Sequence, residues 1–365
     1  MILKLFLTGD VMLARGVDQV LPVPSDPRLF EPAVSSAHSY VEFAESQHGP
    51  IPKPVPFDYV WGAALDWLDR ERPHARIINL ETSVTKSDDP APKGINYRMN
   101  PGNVPVITAA RVDCCVLSNN HVLDWQSAGL AETLDTLEHA HIQTAGAGRD
   151  LSDAEAPAVL DAAAGARVLV FGIGATDSGI PPTWSATSTS PGIHLLRDFS
   201  ANSVAHIARL VQSAKRAGDI AVASIHWGDN WGYDVPTEHE HFARALIDHA
   251  AVDVVHGHSS HHPMAIQVYR DRPILYGCGD FINDYEGIPG FEQYRADLVL
   301  MYFVTMDSTT GRLVRLDMIP LQVYRFRLRA VSSDDRRWMR DTLERECNRF
   351  GHKVIAEGER LTLRR

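Results

Sequence analysis

Five short apolar runs in this chain each stop at a residue able to hold a metal. LFLTGD ends at Asp10, IINLE at Glu81 and VLSNNH at Asn120 and His121; ASIHWGD carries His226, and VVHGHSSH carries His256, His258 and His261. Runs of that length and polarity read as strands buried on both faces. Stretches of helical period separate them, at 58–71, 127–140, 200–217 and 238–250. Strand, loop and helix in alternation predict a mostly parallel sheet in an α/β fold. Parallel strands end on one edge, so the side chains closing these runs should converge there, where α/β proteins place their sites.

Further strands are predicted at 166–172, 265–277, 296–305 and 312–324, the later ones antiparallel, and a terminal helix at 334–349. Residues 20–57, rich in Pro and Ser, read as a long surface insertion and a candidate substrate lid. The predicted organisation is one domain over 1–330, with an insertion at about 18–57, and a helical extension over 331–365 packing on the same domain. A chain of 365 residues needs no disulfide or structural metal to build a core. Its net charge of −11 argues against nucleic acid and anionic membrane surfaces as partners. No run of apolar residues is long enough to span a bilayer. The N-terminal apolar run is broken by Lys4 and stops at Asp10, unlike a signal peptide. The four cysteines form no CxxC pair, and Cys114 and Cys115 are adjacent, which reads as reduced thiols. Together these features predict a cytoplasmic protein with no membrane anchor.

Histidine usage sharpens the expectation: of 17 histidines, eight fall between positions 226 and 262. One Asp, one Glu, one Asn and three or four His make a mixed oxygen and nitrogen donor set, suited to Mn²⁺, Fe or Zn²⁺. The segment HGHSSHH, four histidines in seven residues, is the strongest signal. Gly9-Asp10 and Glu81 read equally well as a turn and a cap. His121, one residue past Asn120, would face substrate and protonate a leaving group. Asp124 reads either as the carboxylate orienting His121 or as the N-cap of the following helix. Candidate cations for an anionic substrate are Arg15, Lys93, Arg98 and Arg149. Trp227, Trp231 and Tyr233 either wall a pocket or pack in the core. No Walker motif is present, which argues against ATP-driven ligation.

Taken in order, the motifs GD, NLET, NNHVLD, HWG, GHSSH and YGCGDF resemble the capsule-synthesis CapA family, also called poly-γ-glutamate synthesis proteins. That family is related to the calcineurin-like metallophosphoesterases, and the resemblance covers about residues 3–325. It implies a four-layer α/β/β/α sandwich around a centre of two divalent cations (Mn, Fe or Zn). It implies Asp10 as the first metal aspartate, Glu81 at the metal-bridging position, Asn120 as a ligand and His121 as the catalytic histidine. His226 matches the lone metal histidine, and His258 and His261 the outer pair; His256 and His262 have no firm place. The chain departs from the phosphoesterases in three respects. Their D-x-H motif is here Asp10-Val11-Met12, the bridging carboxylate is Glu, and the late Asn-Phe pair is Asp280-Phe281. The resemblance implies a hydrolase using a metal-activated hydroxide on an anionic small molecule or polymer, through a phosphoester or γ-glutamyl amide bond. The alternative is a non-catalytic subunit that binds an anionic polymer in capsule or poly-γ-glutamate assembly.

Overall fold

The computed structural model describes residues 1–163 and 165–365. Two sheets dominate it. The first runs, in spatial order, Lys353–Glu357, Arg360–Arg364, Arg312–Tyr324, Leu298–Asp307, Ile2–Val11, Ala75–Leu80, Cys114–Val116 and Gln143–Ala145. The strands from Ile2–Val11 to Gln143–Ala145 are parallel, and Leu298–Asp307 runs antiparallel beside Ile2–Val11. The second runs Leu195–Leu196, Arg167–Ala175, Ile220–His226, Val254–His258, Arg272–Leu275 and Ile266–Tyr269.

Alternation along the strands stacks these sheets face to face. Leu3, Leu5 and Leu7 share one core with Val168, Val170, Val222 and Val254, while the intervening Phe6 points into another. Two residues per pleat put successive side chains on opposite faces, so one strand serves two cores. Helices Ala63–Glu71 and Gln126–His139 cover the outer face of the first sheet through Ala64, Leu68, Leu130 and Leu134. Helices Ala201–Ala214 and Thr237–His249 cover that of the second through Val204, Ile207, Phe242 and Leu246. The architecture is α/β/β/α, four layers.

Two segments depart from the expectation. Within 20–57, residues His38–His48 form a helix that buries Tyr40, Val41 and Ala44, so this segment packs against the body. Its flanking prolines mask a short helical period. The predicted helical extension does carry a helix, Ser333–Asn348, but a hairpin of Lys353–Glu357 and Arg360–Arg364 follows it and lengthens the first sheet. These strands are rich in charged residues because they form a sheet edge, which hides the β signal. All four cysteines are free and buried. No helix among the described residues is long and apolar enough to cross a membrane.

Candidate metal centre

Strand register assembles the centre. Asp10 stands beside Asn79 on one side and Asp280 on the other, the latter from a short parallel strand, Asp280–Ile282. In the facing sheet His226 stands beside His258. Glycines make the close approach possible. A Cβ on Gly9 would lie 1.8 Å from the carbonyl oxygen of Gly279, and one on Gly257 would lie 2.4 Å from that of Tyr276. Any larger residue would push the strand ends apart, which is the physical content of the GD and HGH motifs. Ser259, directly after His258, sits at φ +107°, a strained position for a residue with a side chain.

Two groups of ligand-type side chains result, each with one atom per residue inside a 4.8 Å span: Asp10, His226 and His258, and Asp10, His261 and Asp280. His226 Nδ1 lies 2.9 Å from His258 Nδ1, and His258 Nδ1 lies 3.9 Å from Asp10 Oδ1. His261 Nδ1 is 2.9 Å from Asp280 Oδ1, and Asn283 Nδ2 donates to the other oxygen of Asp280. Glu81 Oε1 lies 3.9 Å from both His226 Nε2 and His121 Nε2.

Asp10, rather than Glu81, is therefore the carboxylate common to both groups. Asp280 was not singled out as a ligand in the sequence; it joins Asp10 and His261 in the second group. A signal was present, since Gly279-Asp280 repeats the Gly9-Asp10 pattern.

Four buried donor atoms in this centre have no hydrogen-bond partner: Asp10 Oδ2, Glu81 Oε2, Asn120 Oδ1 and His226 Nε2. Buried polar atoms in native proteins are nearly always paired. Four orphaned atoms on these residues fit divalent cations, and the mixed oxygen and nitrogen set suits Mn²⁺, Fe or Zn²⁺. Without a cation the carboxylates must take up protons. Burial, then the neighbouring Asp280, pushes Asp10 up to about 7, and burial raises Glu81 and Asp280 as well. Burial drives His226 and His258 well below the usual range, leaving neutral imidazoles ready to ligate.

A sign follows for stability. Folding raises the Asp10 pKa from 3.8 to about 7, so in cation-free protein its contribution is complete below 3.8 and lost as pH climbs through about 7. Chelator-treated protein is expected to lose thermal stability between pH 5 and pH 8. Mn²⁺ or Zn²⁺ at a hundredfold excess over Kd should restore about 2.7 kcal/mol at pH 8, a few degrees in Tm. Melting curves at both pH values, with and without cation, check this; no cation effect at pH 8 would count against the centre.

His121 lies at the edge of this group. Its Nδ1 is 2.6 Å from Asp124 Oδ2, and its ring stacks on Tyr97 with centroids 3.8 Å apart. Asp124 does not cap the helix Gln126–His139, which has no side-chain cap; it also accepts from the Tyr97 N–H. Lys93 Nζ pairs with Asp124 Oδ1 at 2.8 Å and donates to the carbonyl of Asn120. Burial lowers His121 to about 4 despite Asp124.

A cavity of about 980 Å³ opens over the centre, lined among others by Arg15, Lys93, Tyr97, Asn120, His121, Trp231, His261, Tyr285 and Phe291. Gln47 and His48 of the 20–57 segment also line it. Arg15 is buried against Asp284 and Glu31 and lies 3.8 Å over the ring of Tyr40, so its charge is already met.

Other candidates lie elsewhere. Trp227 does not line the cavity: its indole donates to the Tyr276 carbonyl and stacks on His239 in the core. Arg98 is spent on Asp88, the carbonyls of Ser87 and Asp26, and the face of Trp125. Arg149 pairs with Asp135 on the surface. His256 is tied to Ser224 and the Thr8 carbonyl, and His262 accepts from the Gly232 N–H, so both serve the scaffold. Tyr285 and Phe291, both on the cavity wall, were not picked out by any motif.

Fold and cluster together define a two-sheet α/β protein whose strand ends gather carboxylates and histidines under an aromatic cavity. The chain belongs to the family described as bacterial capsule synthesis protein PGA_cap, whose model matches residues 4–285. It is 45% identical over 362 residues to a probable polyglutamine synthesis accessory protein of Mycobacterium tuberculosis, covering 99% of this chain and 95% of that one. It is 26% identical over 326 residues to the PGA biosynthesis protein CapA of Bacillus subtilis, covering 88% of this chain and 72% of that one. A solved structure described as a novel phosphatase from Mycoplasma pneumoniae aligns with a TM-score of 0.47 and 12% identity, over 88% of this chain and 94% of that one.

Proposed function

We infer that this chain is a divalent-metal-dependent hydrolase acting on an anionic substrate in capsule or poly-γ-glutamate metabolism, through a phosphoester or γ-glutamyl amide bond. The observation that carries the reading is the set of four unpartnered buried donors beside His121. Asp10, Glu81, Asn120, His226, His258, His261 and Asp280 would hold the cations. Two bound cations would lower the pKa of water toward neutrality and offset the charge of an anionic substrate.

The chain's own groups divide the remaining work. Asp124 accepts a hydrogen bond from the Nδ1–H of His121, which leaves Nε2 as the free ring nitrogen. From there His121 passes a proton to the leaving group, a step that needs the imidazolium. Asp124 favours that form, and a bound substrate anion adds to its effect. Tyr97 holds the ring by stacking. Lys93 ties Asp124 to the Asn120 backbone. Tyr97, Tyr285, Trp231 and Phe291 give the cavity apolar walls that displace water from an elongated substrate. Because Asp284 and Glu31 already offset Arg15, and Asp124 offsets Lys93, the cations themselves are the main counter-charge for the substrate. Four free, buried cysteines support a reducing, cytoplasmic setting.

A second reading, a non-catalytic subunit binding an anionic polymer, draws on the word accessory in the mycobacterial relative's name. A panel of aryl phosphates, phosphodiesters and γ-glutamyl anilides, assayed on Mn²⁺- or Zn²⁺-loaded protein, separates the two. Turnover of either bond class supports the hydrolase. Loaded protein that turns over none of them, yet binds polyglutamate, supports the subunit.

A further inference from the structure

Away from the strand-end centre, Glu155, His194 and His206 bring one ligand atom each within 4.8 Å of one another. Three separate segments supply them. Glu155 closes the short helix Leu151–Glu155, and His194 lies between the strands Gly192–Ile193 and Leu195–Leu196. His206 belongs to the helix Ala201–Ala214.

His194 carries the argument. It is 3% exposed, and its Nδ1 faces the carbonyl of Gly172 at 3.2 Å. A carbonyl only accepts, so the ring proton sits on Nδ1 and Nε2 keeps its lone pair. That Nε2 is buried and has no partner. Metal-ligating histidines are held in this way, one ring N–H fixed on a carbonyl and the other nitrogen bare. Hydrogen bonding within the cluster does not account for it: His206 Nε2 and Glu155 Oε1 pair with each other at 2.7 Å and leave His194 unserved. Burial lowers the His194 pKa to about 4, so the ring is neutral at pH 7.

We propose that Glu155, His194 and His206 form a second divalent-cation site, distinct from the strand-end centre and suited to Zn²⁺. Two imidazoles and one carboxylate are a common zinc set, with a water completing the tetrahedron. His206, about a third exposed, gives the ion its entry path. Arg209, an exposed side chain 3.1 Å from His206 Nδ1, swings away as the ring proton moves to Nδ1 and frees Nε2 for the metal. The site ties together three segments, and one of them borders the first centre. The His194 carbonyl accepts from the Gly174 N–H at 2.9 Å, and Gly174 stands in register with His226. The ion's role is to brace that connection.

Zinc counted per chain after Zn²⁺ loading and gel filtration tests the site on the full chain. Wild type should retain one zinc more than either His206→Ala or Glu155→Gln, and Zn²⁺ should raise its Tm by a few degrees more than theirs. An Asp10→Asn chain should still lose one zinc on adding His206→Ala, which keeps the result independent of the strand-end centre and of the hydrolase reading. Equal zinc content in wild type, His206→Ala and Glu155→Gln, all folded by circular dichroism, overturns the proposal.

Discussion

Asp10→Asn should lower turnover by about a thousandfold or more, because it removes the one carboxylate common to both ligand groups. The same change should make the cation-free protein more stable at pH 8. Asn keeps the shape and can still accept the bond from Asn79 Nδ2. What it removes is a buried charge whose pKa folding raises from 3.8 to about 7, a cost of at most about 4 kcal/mol. Activity and cation-free stability therefore move in opposite directions. Mn²⁺ should also lose most of its effect on the melting temperature of this variant, and Zn²⁺ should keep only the part that the Glu155, His194 and His206 site supplies. An Asp10→Asn protein that is merely misfolded would be less stable as well as inactive, so melting curves and metal content together separate the two cases. Full activity in this variant would remove the metal centre from the chemistry.

His121→Ala should reduce kcat by about a hundred- to ten-thousandfold, the usual range for a lost proton-transfer group. Metal content should not change, since His121 belongs to neither ligand group, and KM should move little. Asp124→Asn should give a smaller loss, because it leaves the imidazole in place while weakening its hold on Nδ1. The pH profile distinguishes orientation from structural support: replacing Asp124 should shift the limb assigned to His121, whereas damage to packing would lower the whole curve. His121→Ala with wild-type kcat would end the proton-transfer assignment.

Much of this arrangement was legible in the chain. Asp10, Glu81, His226 and His258 stand at or just past strand ends, with Asn120 and His261 in the loops that follow, and parallel strands with a common direction bring such ends together. What could not be read was register. Period-two patterning says which face a residue takes but not which neighbour it meets, so only coordinates show Asp10 flanked by Asn79 and Asp280. The substrate-facing candidates fared unevenly for a related reason. Arg98 and Trp227 have the composition of a pocket wall, yet each is absorbed locally, Arg98 by Trp125 and Trp227 by His239. Side chains with one charged or polar tip and a large apolar body suit a core as well as a cleft. The closing hairpin was missed because its two strands are only five residues long and end in charged residues at a sheet edge.

The strand Asp280–Ile282 has a consequence for biosynthesis. It lies against the end of Ile2–Val11, so that strand waits for a segment some 270 positions further along the chain before its pairing is complete. A nascent chain that has emerged only as far as the histidine-rich segment still lacks Asp280 and the glycine that seats it beside Asp10. Contacts spanning some 270 positions form late, since a loop that long must close first. Cation capture is thereby coupled to synthesis past Asp280, and a chain that stops before it offers metals only half a cradle.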